Sequence, residues 1–222
     1  MELTINKKDF LRGLARTHAV ADRKSSMPIL SNILLTAEGT DSLRLAATDL
    51  YLGVSALANA KIDKGGSVAV SARTLFDIVK NLPEGEINWT VGDNEAAEIR
   101  SGKVRYKIPG MPGEDFPPLP NPGDAEFAAL DASMLGELIQ LTQYSMSTDE
   151  TRPHLAGALF EGDGKVVRMV TTDGHRLSKA EKKLGDGAPM LNFSMLVPFK
   201  GVLELKRVIE DAKADRAKSD EE

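Results

Sequence analysis

The pattern of apolar and polar positions repeats once along the chain. Ile33-Leu34-Leu35 forms an apolar run, and Leu43-Arg44-Leu45 alternates before passing into Ala46-Ala47-Thr48-Asp49-Leu50. Ala158-Leu159-Phe160 and Val167-Arg168-Met169-Val170-Thr171-Thr172-Asp173-Gly174 repeat that order. Period-two alternation predicts strands, and glycine-containing turns separate them (Glu38 to Asp41; Gly162 to Gly164). Each copy is preceded by a stretch of helical period. Asn6 is placed to cap the first, whose apolar positions are Phe10, Leu11, Leu14, Ala15 and His18; Asp131 caps the second, with Leu135, Leu138, Ile139, Thr142 and Tyr144. Val68-Ala69-Val70-Ser71 leads into a helix through Leu75, Phe76, Ile78 and Val79. Leu196-Val197-Pro198 leads into its counterpart through Val202, Leu203 and Leu205, with Pro198 suited to a first helical turn. The copies are offset by roughly 125 residues, the size of a domain.

Between them, residues 109–124 hold six prolines and three glycines, which excludes helix and central strand and predicts a linker. After its second helix the first copy continues into strands over 86–92, 95–101 and 103–109, whereas the second copy ends in a charged stretch over 210–222. The expectation is an α+β chain with one domain over 1–120, a second and shortened one over 121–209, and a charged tail.

Composition changes this picture little. The chain has 222 residues, 41% hydrophobic and 27% charged, with no cysteine for a disulfide or thiolate metal site. No apolar run approaches the roughly 20 residues that span a bilayer, and Met1 to Asn6 lacks the basic and apolar regions of a signal peptide, so a cytoplasmic location is expected. A net charge of −5 argues against coating nucleic acid by bulk charge, though not against a local basic face.

Candidate enzyme chemistry is sparse. The three histidines, at 18, 154 and 175, have no metal-ligand spacing, and no phosphate-binding loop or nucleophile elbow occurs. A hydrolase or nuclease using Asp49, Asp173 and His175 is the rival reading, and metal-dependent activity lost in Asp173→Asn would favour it. The repeat instead assigns both aspartates to turns. Basic residues offer more. Lys8, Arg12 and Arg16 recur on one side of the first helix, Arg73 and Lys80 on the second, and Lys200, Lys206 and Arg207 on its counterpart; Arg23 and Lys24 follow the first helix. Such side chains contact phosphates without reading sequence. The helix over 134–146 carries no Lys or Arg, so the pattern is incomplete.

Thr172-Asp173-Gly174-His175-Arg176-Leu177, with Ser145-Met146 and Arg152 before it, resembles the bacterial DNA polymerase III beta clamp. Met27-Pro28-Ile29-Leu30-Ser31-Asn32, Ala47-Thr48-Asp49-Leu50, Phe76-Asp77-Ile78 and Asp115-Phe116-Pro117 match as well, so the likeness reaches about Ile209. The resemblance implies a DNA-clamp fold: three similar domains per subunit, each of two β-α-β-β-β units, with antiparallel sheets outside and helices lining a DNA-sized hole. Two subunits would join head to tail into a homodimeric ring. It implies a non-catalytic processivity factor on double-stranded DNA, with the polymerase III catalytic subunit, the clamp loader and other clamp-motif proteins as partners and no cofactor or metal. Leu155, Thr172, Gly174, His175, Arg176 and Leu177 match one wall of a pocket for a short partner peptide. Lys24 and the loop 147–152 match DNA contacts, although Asp149 and Glu150 and the Pro153-His154 pair depart from the family pattern; Lys24 and Arg152 remain the candidates there. On this reading the third domain is absent, which predicts weak peptide binding and no ring from this chain alone. A short paralogue that holds partners without closing a ring is the alternative.

Overall fold

The computed structural model describes residues 1–22, 25–92, 94–119, 123, 127–149, 151–152 and 154–219, the last six by their backbone alone. The chain forms two compact units, Met1–Pro122 and Gly123–Glu222.

The first unit contains β1 (Glu2–Asn6), α1 (Lys7–Thr17), β2 (Asn32–Glu38), β3 (Ser42–Thr48) and β4 (Gly53–Lys64), then β5 (Ser67–Ser71), α2 (Ala72–Asn81), β6 (Glu86–Val91), β7 (Ala97–Ser101) and β8 (Val104–Ile108). These are two β-α-β-β-β halves. The described pairings are antiparallel and give one sheet of order β8-β7-β6-β1-β4-β3-β2-β5-β9, in which β9 is Gly110–Pro112. The halves merge because β4 is long enough to pair twice, with β3 through Gly53 to Asn59 and with β1 through Ala60 to Lys64. Both helices lay their apolar stripes on this sheet. Phe10 and Leu14 of α1 and Leu75 and Val79 of α2 are fully buried with Leu35, Leu45, Ile87 and Trp89. Phe10 meets Trp89 edge to face, centroids 6.1 Å apart.

The start of α1 follows from its sequence. The Asn6 side chain accepts from Lys8 N–H at 2.9 Å, capping the first turn. Buried Lys7 donates through Nζ to the Leu82 carbonyl (2.6 Å) and to Glu84 (2.8 Å), so its charge is satisfied where it enters the core. His18 ends the helix, half-buried, with Nδ1 2.8 Å from the Leu14 carbonyl and its ring stacked on Phe76 at 4.0 Å.

The proline-rich segment is more structured than a linker. Its first residues are β9, an edge strand on β5, and Phe116 packs beneath with Ile29, Leu30 and Ala69. Proline tolerates an edge position because one side of such a strand needs no N–H.

The second unit repeats one half. Its elements are α3 (Ala132–Thr142), β10 (Gly157–Gly164), β11 (Val166–Thr172), β12 (Leu177–Lys183), β13 (Leu191–Pro198) and α4 (Phe199–Ser219), with sheet order β12-β11-β10-β13. Asp131 caps α3 by accepting from Met134 N–H at 2.7 Å. Leu138, Ile139, Val202, Ile209, Phe160 and Met169 form the core. Pro198 closes β13, and Phe199 rather than Pro198 opens the helix. α4 runs through Ser219, so most of the charged stretch expected as a tail is helical. Its Glu, Lys, Arg and Ala residues favour helix and no glycine or proline interrupts them after Gly201. Among the described residues no strand covers the outer edge of β13, whereas β9 covers β5 in the first unit.

Candidate functional site

Three devices fix the surface around Gly174. The first is the β11–β12 turn. Asp173 Oδ1 accepts from the N–H groups of His175 (2.9 Å) and Arg176 (3.0 Å), and Oδ2 accepts from Arg176 Nε (2.9 Å). Thr172 Oγ1 accepts from Gly174 N–H and donates to the Arg176 carbonyl at 2.7 Å. Gly174 takes φ +90°, a left-handed conformation that glycine reaches without steric cost. The two N–H donors, and after them the Arg176 guanidinium, hold the Asp173 carboxyl down at about 2.

The second device is the loop over 147–155. Ser147 N–H donates to the Leu155 carbonyl (3.0 Å) and Leu155 N–H to the Arg152 carbonyl (2.9 Å). Asp149 accepts from the Thr151 hydroxyl and N–H and from Arg152 Nε, which together lower its carboxyl below the usual range. A Cβ on Gly174 would stand 3.8 Å from Arg152 and 3.9 Å from Leu155, so the loop and the turn share one surface. The third device anchors the end of α3. The Thr171 hydroxyl donates to the Thr142 carbonyl at 2.6 Å, and the buried Ser145 and Ser178 hydroxyls pair at 2.6 Å. They hold the short 3-10 turn Gln143–Ser145 so that Tyr144 lies under Arg176, 5.8 Å from ring centroid to guanidinium.

Leu155, Thr172, Gly174 and Arg176 therefore sit together, joined by Arg152 and Tyr144; His175 and Leu177 follow on the same turn and strand, both exposed. The surface offers aliphatic and aromatic area with two guanidinium groups, which suits a short peptide with apolar and acidic or carbonyl groups. Tyr144 was expected on the apolar face of the helix, yet it is 59% exposed because α3 has ended before it. The aspartates proposed for hydrolysis are both used in turns: Asp49 Oδ1 accepts from Tyr51 (3.0 Å) and Leu52 (2.7 Å), as Asp173 does from His175 and Arg176.

The basic candidates are spread over helices and loops. Arg73 and Lys80 are exposed on α2, with Arg73 3.6 Å from Asp77. Lys200 is half-buried on α4, and Arg207 pairs with Glu204 at 2.6 Å. Arg152 pairs with Asp149 at 2.9 Å. The exposed Arg73–Asp77 and Arg152–Asp149 pairs are each worth about 0–1 kcal/mol, so a phosphate can displace the carboxylate there, whereas the Arg207–Glu204 pair is more deeply set. Arg23 and Lys24 lie outside the described residues, as do Glu150 and Pro153.

The description "DNA polymerase III beta subunit, N-terminal domain" matches residues 1–120, and "DNA polymerase III beta subunit, central domain" matches residues 129–217. The chain belongs to the DNA polymerase III beta subunit family. The beta sliding clamp of Caulobacter vibrioides is 38% identical over 218 residues, which is 96% of this chain and 58% of that protein. The beta sliding clamp of Escherichia coli K12 is 36% identical over 213 residues, 95% of this chain and 57% of that one. The chain thus spans just under three fifths of these relatives. Among solved structures, the DNA polymerase sliding clamp from Caulobacter crescentus superposes with a TM-score of 0.88 at 36% identity, covering 95% of this chain and 58% of that one. A sliding clamp from Bartonella birtlesii, bound to griselimycin, gives 0.82 at 37% identity, with 95% and 57% covered.

Proposed function

We propose that this chain acts as part of a sliding clamp, a non-catalytic processivity factor that encircles double-stranded DNA and tethers the replicative polymerase. The match of both units to the beta subunit family carries this reading. The physical role fits: Arg73, Lys80, Lys200 and Arg207, with Arg23, Lys24 and Arg152, would meet phosphates without base contacts, which permits sliding. Tethering raises the effective concentration of the polymerase at the primer end and requires no bond chemistry. Leu155, Thr172, Gly174, His175, Arg176 and Leu177 would take a short linear peptide of the polymerase, the clamp loader or another clamp partner.

The test is primer extension on a singly primed circular template, with polymerase III catalytic subunit and clamp loader, using the protein as isolated from its own cells. Longer products per binding event are expected with the protein present, and equal lengths overturn the reading. Partner peptide bound without gain in length would favour a protein that holds partners without closing a ring. At the peptide surface, Arg176→Ala is expected to weaken an acidic peptide about tenfold, read by fluorescence anisotropy.

A further inference from the structure

We propose that the first unit holds a seat for one unpaired nucleotide of single-stranded DNA, in the cavity between the end of α1 and the first turns of α2. The inference rests on the reading of the chain as part of a clamp on DNA and adds a site to it. The cavity measures about 390 Å3, within the roughly 300–1,000 Å3 of small-ligand sites. His18, Phe76, Arg73 and Asp77 line it, together with small residues such as Ala21 and Ala72.

Each of these four side chains keeps an unused capacity. His18 Nδ1 lies 2.8 Å from the Leu14 carbonyl, which holds the ring proton there and leaves Nε2 with no hydrogen bond among the described residues. The His18 and Phe76 rings are stacked 4.0 Å apart at 6°, and both are only half-buried, so a base can extend the stack. Arg73 Nε and Asp77 stand 3.6 Å apart, too far for a good hydrogen bond, with the two side chains 69% and 60% exposed. The guanidinium is therefore able to take a phosphate, and the carboxylate to accept from the exocyclic amine of a base.

The fold does not require this arrangement. In the second unit the equivalent positions, the C-cap of α3 and the fifth residue of α4, are Gln143 and Leu203, so the pair of rings is missing. Glu204, in the place of Asp77, is taken by Arg207 at 2.6 Å. Rings stacked where a glutamine and a leucine suffice for packing point to a ligand with a flat face. A backbone phosphate alone would use Arg73 and leave the rings and Asp77 idle, and the bases of a duplex are already stacked on one another. An unpaired nucleotide uses all four groups. Asp77 also sets a preference, because cytosine carries an exocyclic amine and thymine carries none.

Fluorescein-labelled oligodeoxycytidine, oligodeoxythymidine and a mixed-sequence duplex test this on the full chain by anisotropy at low salt. The cytosine strand is expected to bind several times more tightly than the thymine strand. His18→Gln and Phe76→Leu, which install the residues of the second unit, are each expected to weaken both single strands about tenfold and to leave the duplex unchanged. Asp77→Ala, at an exposed position where folding is not at stake, is expected to make the two strands equal. No binding of either single strand, equal affinities for the two in wild type, or single strands indifferent to His18→Gln overturns the seat. Longer products in primer extension would then leave the clamp reading standing. A seat that behaves as expected in a chain that gives no longer products overturns the clamp reading instead and keeps the seat.

Discussion

At Asp173 one carboxylate accepts from two backbone N–H groups and a guanidinium, and the consequence is a dependence on pH. Its folded pKa, about 2, lies below the roughly 3.9 of an unfolded aspartate. The stabilisation it gives the turn is therefore complete above pH ~4 and lost as pH falls through about 2. We expect the amide signals of His175 and Arg176 to shift together between those limits, and Asp173→Asn to remove that titration; unchanged amides would contradict the hydrogen bonds. This turn was legible in the sequence because Thr-Asp recurs at the same place in both copies. Tyr144 was not legible as a surface residue. Helical spacing put it on the apolar side, and only the buried Ser145–Ser178 and Thr171–Thr142 bonds, distant in sequence, end the helix early enough to turn the ring outward.

Elements with strong periodicity and a capping side chain, α1 and α3, stood out from the sequence before any tertiary contact was known. Shorter or polar ones did not. β9 has three residues, one of them proline, and exists because β5 offers it an edge. The last turns of α4 are rich in charge, which suits a solvated helix as well as a tail. Packing of α1 on the sheet can be tested through the sole tryptophan, Trp89, which is fully buried against Phe10. Phe10→Ala should destabilise the first unit by about 3–5 kcal/mol. The change should appear as an earlier red shift of Trp89 fluorescence in denaturant, a signal that reports the first unit alone; an unmoved midpoint would mean that Phe10 is not part of its core.

At the scale of the whole chain, the two units differ in how their sheets end. β5 is covered by β9, while the outer edge of β13 has no strand partner among the described residues, and Met195 and Leu196 on it are 49% and 47% exposed. An uncovered edge with apolar side chains favours association with other strands. The isolated chain is expected to self-associate with rising concentration, and Leu196→Lys to reduce this, as followed by light scattering; equal scattering would show that the edge is not exposed in solution. The sequence repeat did not reveal this asymmetry, because β9, the strand that covers β5, falls in the segment expected to be a linker.

The position of β1 matters for the order in which the protein is made. Within the first unit β1 leaves the ribosome before both strands it pairs with, and it lies inside its sheet, between β4 on one side and β6 on the other, where Glu2 faces Thr90. Until the stretch near Thr90 has emerged, β1 can pair only with β4, leaving its other edge open to wrong partners. Closing so long a loop is entropically costly and slow. Synthesis of the first unit therefore passes through a stage in which β1 waits on the late strand β6 (Glu86–Val91), and a chaperone shielding that edge would act most usefully there.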